Sequence, residues 1–370
     1  MEKAEFRKNA ADMIYLTACA VNGITPKKER LDSMDIKKVF EVCQRHILTA
    51  CAAYALESAG VKEHDFTQAK EKAIRKNVLL DAERVMLLKR LEEEHIWYMP
   101  LKGALLKDWY PKLGMRQMSD NDILCDSSRR ADIKKIMLEM GFTCRHYGIG
   151  NDDAYLKEPV CNFEMHNALF TSTHVGKLCD YYSDVEKRLI KDEDNEYSRH
   201  FSNEDFYIYM IAHEYKHYAT GGTGVRSLLD IYIFQKLFGD LLDRDYIDRE
   251  LKELELEDYE RNARELAEKV FTLKALTIEE KKLLDYYVIS GTYGTVSNHV
   301  ENKLQKTAQG SKFKYIIRRI FPDMKTYKVW YPWAYKHKWL LPAAWAFRLV
   351  RGITVRRKTI SSEVKALKNN

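Results

Sequence analysis

The chain has 370 residues, 45% of them apolar and 12% aromatic, which suffices for ordinary buried cores in two or three domains and excludes a disordered chain. Its formal net charge of +6 hides an asymmetry: residues 311–370 hold fifteen Lys/Arg against Asp323 and Glu363, a local +13 that leaves −7 for the remainder. Seven cysteines with no C-x-x-C spacing read as reduced thiols of a cytoplasmic protein rather than as a disulfide scaffold or a thiolate zinc site.

Lys3, Arg7 and Lys8 precede the apolar run 13–21 in a weakly signal-like way, but Glu2, Glu5 and Asp12 interrupt it, and the segment reads as a helix. No run of about 18 apolar residues predicts a transmembrane segment. Residues 1–92 form an N-terminal helical region. Ile36, Val39, Phe40, Cys43, Ile47 and Ala50 recur at helical spacing over 35–56, and Ile74, Val78, Ala82, Val85, Leu88 and Leu91 do so again.

Residues 93–200 change character. The apolar stretch 96–101 reads as a strand, Gly103 opens an amphipathic stretch over 104–110, and 120–125 reads as a second strand. A helix is expected over about 129–140, stopped by Gly141. In 160–169, Cys161, Phe163 and Met165 alternate with Asn162, Glu164 and His166, so one face is apolar and the other presents a carboxylate.

A C-terminal helical domain over 201–310 begins with Ser202 and Asp205, which resemble a capping box, followed by the stripe Phe206, Tyr209, Met210, His213 and His217. The glycine-rich break at 221–224 leads to a further helix, and acidic helices over about 243–290 end in a Gly-Thr-Tyr-Gly turn. Residues 311–370 hold four of the six tryptophans, with Pro322, Pro332 and Pro342 as breaks. They read as a basic, aromatic strap on the body with a mobile Lys/Arg-rich end.

The chemistry concentrates in Lys102-Gly103, Arg116, Asp120, Asp122 and Glu164. In a strand, residues two apart point to one side, which places the two aspartates about 7 Å apart on one face. Phosphoryl and nucleotidyl transfer need carboxylates that hold divalent cations, and magnesium is satisfied by two or three of them plus substrate phosphates. Gly103 at a strand-to-helix turn lets the backbone approach a phosphate, with Lys102 and Arg116 as cationic partners.

The run L-K-G-x-x-L, then Y-P, then G-x-R-x-x-x-D-x-D-I-L, with the later F-E-M-H, resembles the uncharacterised nucleotidyltransferase family of the DNA polymerase β superfamily. Further matches lie around Lys216-His217, Arg226 and Asp230, in the Gly-Thr-Tyr-Gly turn and in the closing segment. The resemblance implies an α+β fold, a small mixed-sheet polymerase β-like core embedded in N- and C-terminal helical regions. It also implies Asp120 and Asp122 as the metal pair with Glu164 as third carboxylate. Mg²⁺ or Mn²⁺ is then the expected cofactor and an NTP the substrate, ATP first among them. Two departures stand out. Asn121 occupies the place of an apolar strand anchor, and Ala104 follows Gly103 where the superfamily has a Gly-Ser serine.

His213-Glu214-x-x-His217 is a literal H-E-x-x-H, so a zinc peptidase is a rival reading, although no metzincin extension follows. A non-catalytic nucleotide- or RNA-binding protein of the same fold is another. His166, His217, Arg226 and Asp230 are candidates to line the cleft, with Arg226 and Asp230 spaced as an i, i+4 pair. The 221–224 loop suits an interhelical turn or an anion nest. The basic tail suits packing on the body, RNA contact or an anionic membrane, and the acceptor is not legible.

Overall fold

The computed structural model describes residues 3–174, 176–306, 311–354 and 357–369. Seven strands, β1 (Tyr98–Pro100), β2 (Asn121–Cys125), β3 (Thr143–His146), β4 (Asp152–Lys157), β5 (Cys161–His166), β6 (Ile190–Asp192) and β7 (Asn195–His200), form a mixed sheet in the order β3-β4-β5-β2-β1-β7-β6. β2 runs parallel to β5 and antiparallel to β1. Helices make up most of the rest, so the chain is α+β in composition.

The period-two alternation of the strands sorts side chains onto two faces. Ile123 and Cys125 of β2, with Phe163 and Met165 of β5, pack against Leu80, Leu87 and Leu91 of the His64–Glu93 helix and Ile133, Ile136 and Met137 of the Arg130–Glu139 helix. Asn121 falls on this apolar face and is fully buried. Its amide donates to the Leu80 carbonyl (2.9 Å) and accepts from Arg84 (2.9 Å), so it joins strand to helix by hydrogen bonds where an apolar anchor would use contact alone. The opposite face carries Asp122, Glu164 and His166.

A second, larger core unites the N-terminal helices Lys3–Asn22, Ile36–His46 and Thr49–Ser58 with Asn203–Tyr218, Val225–Phe238, Glu257–Phe271 and Ile278–Ser290. The helical spacing over 35–56 is interrupted at Ile47, whose φ of 57° ends the first helix in a left-handed cap. The reason is tertiary. His46 at that break is buried and sits between the Val225 amide and the Val288 carbonyl, each 3.2 Å from a ring nitrogen.

The 221–224 loop is an interhelical turn between Asn203–Tyr218 and Val225–Phe238. It packs backbone to backbone on the 291–294 turn, with the Thr295 amide donating to the Gly221 carbonyl at 2.8 Å. A Cβ on Gly294 (φ +68°) would lie 2.4 Å from that carbonyl, which only glycine avoids.

The tail is helical, with Pro322, Pro332 and Pro342 between or at the starts of its helices. It forms helices Lys312–Ile320, Met324–Trp330, Pro332–Lys336, Leu341–Thr354 and Arg357–Asn369, with one small apolar cluster of its own and a second in which Tyr315 and Ala366 pack on Val300 and Leu304 of the Val296–Lys306 helix. Pro332 and Pro342 sit at helix starts, where the missing amide hydrogen costs nothing.

Candidate functional site

Parallel pairing of β2 and β5 sets Asp122 directly opposite Glu164 and Leu124 opposite His166. Ligating atoms of Asp122, Glu164 and His166 all lie within 4.8 Å of one another, with His166 Nε2 at 3.2 Å from Asp122 and 3.9 Å from Glu164. Asn151 approaches the other ring nitrogen at 3.2 Å. With the Asn151 amide donating there, His166 Nε2 carries the proton and donates to Asp122. Asp120 stands just before β2, outside this trio but near enough for its charge to act on Glu164.

Cations flank the acids on two sides. Lys102, the first residue of the Lys102–Trp109 helix, pairs with buried Glu214, which also accepts from Thr223 at 3.3 Å. Lys216, one turn below His213, faces Asp122 and Glu164. On the other side Lys76 donates to the Ser119 carbonyl (2.8 Å) and Arg226 to the Gln117 carbonyl (3.3 Å), and both exert attraction on Asp120. Tyr293, at the tip of the glycine turn, is 81% exposed, and its hydroxyl lies 3.5 Å from that of Ser119.

The electrostatics are those of an acid cluster short of positive charge. Desolvation and then the neighbouring aspartates push Glu164 up to about 8. Asp120 rises to about 6 by desolvation and the charge of Asp122, although Arg226 and Lys76 oppose it. Desolvation acts on Asp122 too, but His166, Lys216 and Lys102 outweigh it and hold its pKa below the usual carboxylate range. Lys216 is lowered by desolvation and by Lys102. A divalent cation would fit this set, since the charges of Asp120 and Asp122 act on Glu164, which keeps its proton near neutrality for want of a positive charge.

A model of the uncharacterised nucleotidyltransferase family matches residues 32–272. The chain belongs to that family. No curated protein and no solved structure matches it.

In this family member, Asp120, Asp122, Glu164, His166 and Lys102 lie near enough for their charges to act on one another. His217 is exposed beside His213, with ring centroids 4.8 Å apart. Arg116 and Asp230 are placed otherwise. The Arg116 guanidinium meets Asp230 with two nitrogens, at 2.8 and 3.0 Å, Tyr110 donates to the same carboxylate at 2.7 Å, and all are buried. The expected Arg226–Asp230 pair gives way to this one. A third Arg116 nitrogen reaches the Gly103 carbonyl at 3.4 Å, so the residue supports the start of the lysine helix from below. Gly103 is tightly covered there, a Cβ meeting Met118 at 3.3 Å.

The zinc peptidase reading fails on Glu214. Its carboxylate is bound to Lys102 and Thr223, so no general base is available between the histidines, and among the described residues no third ligand joins them. The sequence reading missed Lys216, Lys76 and Tyr293 as site residues. Lys216 and Tyr293 appeared only within the Lys216-His217 and Gly-Thr-Tyr-Gly matches, without a role, and Lys76 lies on a helix with no motif at all.

Proposed function

We propose that the protein is a Mg²⁺- or Mn²⁺-dependent nucleotidyltransferase with a polymerase β-like core, moving a nucleoside monophosphate from an NTP, ATP first, to a hydroxyl. The observation that carries the proposal is the register of two neighbouring parallel strands, which sets Asp122 against Glu164 with Asp120 beside them, in a chain of this family. Asp120, Asp122 and Glu164 would hold the cations, which supply charge neutralisation at the phosphates. Lys102 and Lys216 lie where they offset negative charge on a triphosphate, and Tyr293 offers its ring to the base at the Asp120 side. Glu164 would complete the site either as a ligand of the catalytic cation or, in its ionised form, as the base that takes the proton of the attacking hydroxyl. That oxygen bonds to the α-phosphorus as the bond to the leaving pyrophosphate breaks. All seven cysteines are free thiols, in keeping with a cytoplasmic setting.

The test is incubation with each α-labelled NTP and Mg²⁺ or Mn²⁺, with cell extract as source of acceptors, comparing the wild type with Asp120→Ala/Asp122→Ala. Label in a protein, RNA or small-molecule fraction, lost in the variant, is expected and names the acceptor class. Binding of NTP without transfer under every condition would move the protein to the non-catalytic binding class. No binding and no label would overturn the proposal.

A further inference from the structure

Two tail helices pack one side on their neighbours and leave a second apolar stripe outward. In the Lys312–Ile320 helix the buried residue is Tyr315, and Arg319 one turn on grips Glu363 with two nitrogens at 3.0 and 3.1 Å. Phe313, Ile316 and Ile317, spaced i, i+3, i+4, lie on the solvent side, Phe313 73% exposed, and Phe321 continues the stripe. The Leu341–Thr354 helix repeats the arrangement. Ala344 is buried and Arg348 reaches back to the Arg319 and Ile320 carbonyls, while Phe347 and Val350 are 55% and 60% exposed. The two helices are joined by Trp345, whose ring stacks on Phe321 at 5.6 Å and whose indole donates to the Ile320 carbonyl. Their outward residues therefore belong to one fixed surface, with Trp339, 78% exposed, on the segment leading into it. A helix docked on a protein body buries the opposite stripe.

We propose that this surface docks on an anionic phospholipid bilayer, with the helices lying in the plane of the headgroups. Charge complementarity supports it: residues 311–370 carry +13 on a chain whose remainder is −7. Tryptophan and long basic side chains suit the boundary between headgroup and acyl chain, where rings and stems are apolar and their tips polar. RNA is a poorer occupant, because phosphates and bases offer nothing to Ile316, Ile317 and Val350. A second copy would set two strongly positive faces against each other. The mode is interfacial, since among the described residues no helix is long and apolar enough to cross a membrane.

The tail reaches the catalytic body. Lys328, Val329 and Pro332 line a groove of about 250 Å³ with Gly148, Gly150 and Thr171, next to the loop whose Asn151 holds His166. Docking would set that edge of the sheet close to the bilayer.

The experiment is co-sedimentation of the full chain with vesicles of phosphatidylcholine alone or of phosphatidylcholine with phosphatidylserine. Binding to the serine-containing vesicles only, weakened by high salt, is expected. Phe313→Glu/Ile317→Glu and, separately, Phe347→Glu/Val350→Glu should each reduce partition about tenfold or more while leaving the thermal transition in place, because every substituted residue is exposed. Asp122→Asn should bind vesicles like the wild type, which separates this proposal from the catalytic one. Failure to bind phosphatidylserine vesicles, equal binding to phosphatidylcholine, or full binding by both double variants would overturn it. So would RNA retention, or a dimer, that the same variants abolish in a chain that ignores vesicles.

Discussion

Glu164→Gln tests whether the acid cluster is built around a missing positive charge. The Glu164 pKa stands at about 8 against 4.5 for an ordinary glutamate. The native state therefore keeps a proton that the unfolded chain releases between those values, and stability falls as pH rises through that window and levels off above it. At about 1.4 kcal/mol per pH unit the ceiling approaches 5 kcal/mol. With 32% of the side chain open to solvent, screening reduces this to about 1–3 kcal/mol. Buried histidines such as His46, pushed down to about 4 by burial and Arg45, give an opposite slope at lower pH, so the wild-type curve alone does not isolate Glu164. The difference between variant and wild type does. Without divalent cations, Glu164→Gln should match the wild type in thermal unfolding below about pH 4.5 and exceed it by several degrees above about pH 8. Mg²⁺ or Mn²⁺ should stabilise the wild type most at high pH and the variant little. A difference that does not grow with pH, or an undiminished metal effect in the variant, would refute the reasoning.

Arg116→Ala leaves Asp230 buried without its partner and should cost about 3–5 kcal/mol in denaturant unfolding, with Lys a poor substitute for the two-pronged contact. A stable Arg116→Ala with only a raised KM for NTP would instead make the arginine a substrate ligand. Asn121→Leu removes the hydrogen bonds to the Leu80 carbonyl and Arg84, which keeps its pairing with Asp81, and should cost about 1–3 kcal/mol, read by the same unfolding curve. Tyr293→Ala should change stability by less than about 0.5 kcal/mol and raise KM for the NTP about tenfold, with Phe or Trp preserving it. An unchanged KM would remove Tyr293 from the base-binding wall.

Sheet pattern made part of the site legible. Strict alternation in 161–166 put Glu164 and His166 on a polar face, because strand geometry fixes side-chain direction residue by residue; of Asp-x-Asp only Asp122 falls within β2, Asp120 standing just before it. The helices of 64–93 and 203–218 were readable as helices, but in the first Val78 and Val85 of the expected stripe are exposed, and Leu80 and Leu87 face the sheet with Leu91 instead.

What the sequence by itself determined, then, is which residues can share a face. Which faces meet was decided by the tertiary structure. That Asp122 stands opposite Glu164 follows from β2 and β5 being neighbours in a sheet where β3 and β4 lie between them in the chain. That Lys102 holds Glu214 and Arg116 holds Asp230, each more than a hundred residues apart, follows from helices docked on the sheet. The same limit governs the tail. Its prolines and tryptophans read as a strap, and only the structure revealed helices that leave apolar side chains outward, because burial is a property of two surfaces and a sequence describes one at a time.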